Sequence, residues 1–331
     1  MLKRSGALFG RTESVLLAAI LVTAVVFSWS SPYFFTLSNL VNLIEAYSVT
    51  TILAAGAFVV LVSGGIDVSF TATASASQYL AAYLIAQVGC PAAPALALGA
   101  ILGVTLGCIN ALLTYYLRIV SIIVTIATSS IYYALLIYFT NAEEIYNLPD
   151  WWSGRITFLR FATASGVVKI TLPIVVMVAV VLLTQYLMAW TRIGRQVYAL
   201  GGNPEAASRV GVGVLRVQLL AYGYLGFLAA VAGFVQAGRV HQAVPTAMAG
   251  QELNVLAVAI LGGASLVGGV GSVGGVVLAV LFLAMLQNGL NLVGVSSYFF
   301  GVVIGLAILI SVSLTAYAEY RGRKPFVVRP A

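Results

Sequence analysis

Leu172-Pro-Ile-Val-Val-Met-Val-Ala-Val-Val-Leu-Leu-Thr-Gln-Tyr-Leu-Met-Ala-Trp190 carries no charged side chain and comes close to the ~20 apolar residues that cross a hydrocarbon layer as a helix. A lipid interior offers nothing to satisfy backbone N–H and C=O groups, so such a run must be helical. Working outward, comparable runs lie at Val15–Trp29, Val41–Val62, Val68–Val88, Ala95–Leu117 and Ile119–Phe139 on one side. On the other side they lie at Val217–Ala237, Leu253–Val267, Val273–Leu292 and Tyr298–Tyr317. The sequence therefore predicts an all-α polytopic membrane protein of about ten transmembrane helices. The run at Leu253–Val267 is short enough to be tilted, re-entrant or broken. The 331 residues are 61% hydrophobic and 8% charged, against about 25% charged in soluble domains. One domain over residues 1–331 is expected, with no separate soluble part.

An even number of spans puts both termini on one face, and the basic residues test which face that is. Lys3, Arg4, Arg11, Arg118, Arg192, Arg195, Arg209, Arg216, Arg321, Arg323, Lys324 and Arg329 all fall on the terminal side, twelve of the sixteen Lys and Arg. Arg155, Arg160, Lys169 and Arg239 fall opposite. The asymmetry places the termini and the polar loop 191–216 in the cytoplasm. It explains the net charge of +7 by topology and leaves no role for nucleic acid. The basic head and apolar run of residues 1–29 look superficially like a secretory signal, but no small-x-small cleavage site follows, so an uncleaved first span is expected.

The external connection 140–171 holds Glu143, Glu144, Asp150 and Trp151-Trp152, with Pro149 and Gly154 marking turns. The tryptophan pair fits anchoring at headgroup depth or the docking of a soluble partner.

Covalent chemistry has few materials here. His241 is the one histidine, so no His-based metal cluster can form, and none of the three lysines sits in a Walker A loop. Cys90 and Cys108 lack metal or redox spacing and read as packing residues. Glu45 and Asp67 are the ionisable residues near the spans, and no span carries a carboxylate at its centre.

Gly64-Gly65 breaks one apolar run, and Asp67-x-Ser69 is placed to cap the helix that follows. Ser69, Thr71, Thr73, Ser75, Ser77 and Gln78 then suit close packing or a hydrated wall. A second break, with Gly262, Gly263, Ser265, Gly268 and Gly269, lacks the lysine and strand of a phosphate loop and fits a sharp helix interruption. Asn110, Asn288 and Asn291 are candidates for polar groups along a path or for helix-to-helix hydrogen bonds. In the loop 191–216, Asn203-Pro204-Glu205 is a strong helix start.

Four stretches, in order, resemble the permease subunits of sugar-type ABC importers, the ribose and related monosaccharide branch. They are Val62-Ser-Gly-Gly-Ile-Asp-Val-Ser69, Gly194-Arg-Gln-Val-Tyr-Ala-Leu-Gly-Gly-Asn-Pro-Glu-Ala-Ala207, Leu261-Gly-Gly-Ala-Ser-Leu-Val-Gly-Gly-Val-Gly-Ser272 and Leu286-Gln-Asn-Gly-Leu-Asn-Leu-Val-Gly-Val-Ser-Ser297. The resemblance implies a permease in the bacterial inner membrane that works as a pair with a second, same or homologous, permease subunit. A cytoplasmic ABC ATPase would bind ATP and magnesium, and a soluble sugar-binding protein would deliver the solute. The chain itself would need no cofactor and catalyse no reaction. Gly201, Gly202, Asn203, Pro204, Glu205, Ala206, Ala207, Arg209 and Gly211 would form the ATPase-coupling contact. Gly64, Gly65, Asp67, Ser69, Asn110, Gly262, Gly263, Ser265, Gly268, Gly269, Asn288 and Asn291 would belong to the path or its gate. The chain departs from the family pattern at Phe70-Thr71-Ala72 and lacks the proline common after Arg118-Ile119. A secondary transporter or channel working without an ATPase is the rival reading.

Overall fold

The computed structural model describes residues 11–146, 148–152, 156–163, 166–306, 309 and 313. In chain order its elements are α1 (Arg11–Ser30), α2 (Leu37–Ala46), α3 (Ser48–Val62), α4 (Phe70–Ala86), α5 (Ala92–Leu117) and α6 (Ser121–Thr140). A hairpin of β1 (Thr157–Thr163) and β2 (Gly166–Thr171) follows, then α7 (Leu172–Trp190), α8 (Arg192–Gly202), α9 (Pro204–Arg209), α10 (Val214–Val240), α11 (Glu252–Leu261) and α12 (Val273–Leu292).

The protein is an all-α polytopic membrane protein in which several of the predicted spans are broken. Among the described residues, α1, α5, α6, α7, α10 and α12 are long and apolar enough to cross a bilayer unbroken, and α2 with α3, bent by 48° where they join, are together long and apolar enough for a seventh span or a re-entrant loop. The bend falls at Tyr47, without a glycine or proline. The run at 68–88 becomes α4, of 17 residues. The run at 253–267 becomes α11, only 10 residues long; at 1.5 Å per residue it covers about 15 Å, half of a ~30 Å hydrocarbon layer. The final run begins as helix at Phe300 and is described to 306. Its remainder, and the basic residues expected at both termini before Arg11 and from Arg321 on, lie outside the described residues, as do Gly154 and Arg155.

At the centre stands α3, buried on every face apart from Thr50. Between apolar helices in lipid there is little hydrophobic drive, so close backbone approach carries the packing. The α5–α10 crossing illustrates this. A Cβ on Gly107 of α5 would lie 2.3 Å from the Tyr222 carbonyl oxygen, and one on Gly226 of α10 would lie 2.1 Å from that of Gly103. Gly103 and Gly107 stand one turn apart, so one face of α5 meets α10 backbone to backbone.

The described parts of the connection 140–171 hold regular structure. β1 and β2 pair antiparallel with Arg160 opposite Lys169 and Phe161 opposite Val168. Trp152 is buried, donates from Nε1 to the Phe234 carbonyl at 3.0 Å, and stacks on Trp151 with ring centroids 5.9 Å apart. It fastens this connection to α10, and only Trp151 offers a partly exposed ring. Ile145 and Ala243 exchange backbone hydrogen bonds of 3.1 and 2.9 Å, tying the same connection to residues 241–251. That segment turns inward: Gln78 Nε2 donates to the Val244 carbonyl at 3.0 Å, and Met248 is fully buried. Hence α11 starts within the bundle, and Glu252 in its first turn bonds Thr71 Oγ1 at 2.5 Å.

Candidate coupling surface and solute path

Thr191 is the hinge between α7 and the polar segment. Its hydroxyl donates to the Leu187 carbonyl at 2.6 Å and accepts from the Gly194 N–H at 3.2 Å, closing one helix and opening the next. α8 then lies with Gly194, Val197, Leu200 and Gly201 buried and Arg192, Arg195 and Ala199 exposed, the pattern of an amphipathic helix at a surface. Asn203 caps α9 as expected, accepting from the Ala206 N–H at 2.9 Å, with Pro204 in the first turn. Gly211, at φ 86°, lets the chain turn back after α9.

Ala207 is the buried residue of α9, while Glu205, Ala206, Arg209 and Val210 face outward. Glu205 and Arg209 lie 4.0 Å apart with their side chains more than 80% exposed. A pair so solvated contributes little to stability. Both groups are therefore open to a partner.

The glycines predicted for two separate roles meet at one point. Gly201 packs so closely that a Cβ there would lie 1.9 Å from the Val62 carbonyl oxygen and 2.6 Å from the Gly269 N–H nitrogen. Gly269 donates to that same Val62 carbonyl at 2.8 Å. A Cβ on Gly268 would meet Gly64 Cα at 2.7 Å, and one on Gly269 would meet Gly202 Cα at 2.6 Å. Tyr198 adds a bond from its hydroxyl to the Gly271 carbonyl at 2.9 Å. The end of α8, the end of α3 and the loop between α11 and α12 thus form one backbone junction.

On either side of this junction the loop is held in place. Gly262 ends α11, and Gly263 turns at φ 92°. Ser265 accepts from the Val267 N–H at 3.2 Å through its hydroxyl, and its own N–H donates to the Val270 carbonyl at 3.0 Å. Ser272 caps α12 by accepting from the Gly275 N–H at 3.0 Å and donates to Glu13 of α1.

Asp67, Ser69 and Asn110 also come together, in the packed interior. Ser69 is the N-cap residue of α4, but no side chain caps that helix. Asp67 instead holds the turn before it, its Oδ1 accepting from the Ser69 N–H at 2.7 Å and the Ser69 hydroxyl at 2.8 Å. The Asn110 amide donates to Ser69 Oγ at 2.6 Å, and Tyr132 donates to Asn110 Oδ1 at 3.3 Å. The Asn110 amide also stands 3.4 Å from the second Asp67 carboxylate oxygen. Gly65 leaves room beside this turn for the Tyr222 hydroxyl, 2.4 Å from where a Cβ would sit.

Asn288 and Asn291 lie elsewhere, on a cavity of about 630 Å³ among α2, α11, α12 and the helix starting at Phe300. Asn288 and Asn39 of α2 exchange amide hydrogen bonds at 2.8 and 3.0 Å. Tyr47, at the α2–α3 bend, donates to Gln287. Asn42, Gln251 and Asn254 complete the polar wall, and none of them was singled out in the sequence. The signal was present in helical spacing: Gln251 and Asn254, and Asn288 and Asn291, each stand three apart and share a face. Asn110 and Asp67 do not reach this cavity. Among the described residues no group of His, Cys, Asp and Glu is arranged to hold a metal.

Residues 39–312 match the family model described as "Branched-chain amino acid transport system / permease component". The chain is 33% identical over 301 residues to the ribose import permease of Escherichia coli strain K12, covering 91% of this chain and 92% of that protein. It is 36% identical over 299 residues to the ribose import permease of Bacillus subtilis strain 168, covering 89% and 90%. The D-allose transport system permease of Escherichia coli strain K12 is 31% identical over 308 residues, covering 93% and 92%. No solved structure matches the chain significantly.

Proposed function

Because this chain belongs to the family of transport-system permease components matched over residues 39–312, we propose that it carries a sugar inward across the bacterial inner membrane, driven by a cytoplasmic ABC ATPase and supplied by a soluble sugar-binding protein. As a member of that family it is a transporter subunit and catalyses no reaction of its own. Two copies, or this chain and a homologous permease, would enclose the path. The sugar assignment is supported by the ribose and allose permeases above and by a galactose and methyl galactoside import permease, 30% identical over 318 residues.

One observation carries the coupling reading. The exposed helix α9 is mounted, through Gly201 and Gly202, on the end of α3 and on the α11–α12 loop, with no side chains between. A push on Glu205, Ala206 or Arg209 would reach those elements directly, as well as α7 through Thr191 and α10 through Gly213. Gly64, Gly268 and Gly269 would then act as part of the gate.

Reconstitution in proteoliposomes with its partner ATPase and binding protein tests the function. Radiolabelled ribose, allose and galactose are offered with and without ATP. ATP-dependent uptake of at least one is expected, and uptake that ignores ATP would favour a secondary transporter or channel. Glu205→Arg in this assay is expected to abolish uptake while the protein still inserts in the membrane. Unchanged uptake would sink the coupling role.

A further inference from the structure

We propose that the 630 Å³ cavity among α2, α11 and α12 is where the solute pauses during passage, and that its lining makes the permease itself selective for uncharged, polyhydroxylated solutes. This deepens the sugar reading and rests on it.

The lining contains amides and rings but no Asp, Glu, Lys or Arg. A carboxylate or ammonium taken from water into such a site would lose its hydration with no opposite charge in return, at a large cost. A sugar asks for something else. Its hydroxyls each donate and accept, and a primary amide offers two donors and an acceptor in one plane. Its C–H faces pack on apolar surface, supplied by Val255, Val258 and the rings of Tyr47 and Phe300. The volume lies within the ~300–1,000 Å³ usual for small-molecule sites.

The polar wall is partly committed and partly open. Asn288 is taken up by Asn39, Gln287 by Tyr47, and Gln251 by the Ala247 carbonyl at 3.4 Å. Asn42, Asn254 and Asn291 make no side-chain hydrogen bond among the described residues, although all three line the cavity. The committed amides orient the wall, and the open ones face the space. Glu252, the nearest carboxylate on α11, is turned to Thr71 of α4.

A second observation joins this cavity to transport. Three of the elements that line the cavity, α3, α11 and α12, also run to the glycine junction. Residue 62 of α3 touches the junction and Thr50 the cavity, one end of α11 is Gly262 and the other carries Asn254, and α12 leads from Ser272 to Gln287. Movement of the coupling helix would therefore reshape the cavity through short, rigid helices.

The test uses the reconstituted complex and whichever of the assayed sugars the wild type carries. Asn42→Leu/Asn254→Leu keeps side-chain size but removes the free amides, and it is expected to raise KM by about tenfold or more. ATP hydrolysis stimulated by the binding protein should stay within about twofold of wild type, which separates loss of solute contact from damage to the fold. As a second readout, Asn254→Cys in a Cys90→Ser/Cys108→Ser background should react with iodoacetamide, and the carried sugar should slow that reaction. Uptake by the double variant with unchanged KM, or labelling that the sugar leaves untouched, overturns this proposal alone. Should the double variant fail to assemble, the labelling result decides. Wild-type complex that takes up no sugar with ATP overturns the sugar reading and this proposal with it.

Discussion

Asp67 is a carboxylate held entirely by neutral donors. Its Oδ1 accepts two bonds from Ser69, and Asn110 stands within 3.4 Å of Oδ2, while among the described residues no cation pairs with it. Asp67→Asn keeps an acceptor for Ser69 and is expected to unfold in detergent within about 1 kcal/mol of wild type. Asp67→Ala should instead lose about 1–3 kcal/mol, since the Ser69 N–H is left buried without an acceptor. Equal losses in the two variants would contradict this account.

At the scale of elements, the junction separates two glycines that the sequence presents side by side. A Cβ on Gly201 meets backbone atoms of Val62 and Gly269, which cannot rotate away, whereas one on Gly202 meets nothing within 4 Å. Gly201→Ala is expected to cost about 1–3 kcal/mol, as overpacking does, and to cut ATP-driven uptake. Gly202→Ala should stay within about 0.5 kcal/mol of wild type, as at an open surface site. Equal melting temperatures for the two variants would refute the backbone junction. This contrast also marks what was legible. Gly64-Gly65 and Gly262-Gly263 announced their breaks because glycine is needed where φ turns positive, and Asn203-Pro204 announced α9 by its capping chemistry. That the breaks meet Gly201 depends on contacts between residues far apart in the chain, which no local pattern encodes. The bend at Tyr47 carries no glycine or proline. The inward course of residues 241–251 rests on tertiary bonds such as Gln78 to Val244, so Leu253–Val267 read as one run rather than as a half-length helix. Asn254 was hidden with it, a polar residue inside an apolar stretch whose facing side only the fold reveals.

Across the whole molecule, the ends of the long helices gather at two faces, whereas α4 and α11 start in the interior. The starts of α1 and α6, the end of α5, the junction and α8–α9 gather at one face, where Arg118, Arg192, Arg195, Arg209 and Arg216 fall. The β-hairpin and the end of α10 gather at the other, with Arg160, Lys169 and Arg239. Cytoplasmic connections carry the excess of Lys and Arg, so on the proposed reading the junction face would lie inside the cell, within reach of an ATPase, and the hairpin face outside, within reach of a binding protein. Single cysteines in the Cys90→Ser/Cys108→Ser background examine this in intact cells with a membrane-impermeant maleimide. Tyr146→Cys, at a position 61% exposed beside the hairpin, should react from outside. Val210→Cys, 80% exposed just past α9, should react only after the membrane is opened. The reverse pattern would put the glycine junction on the side that has no ATP, and the coupling reading would fall whatever the uptake data say.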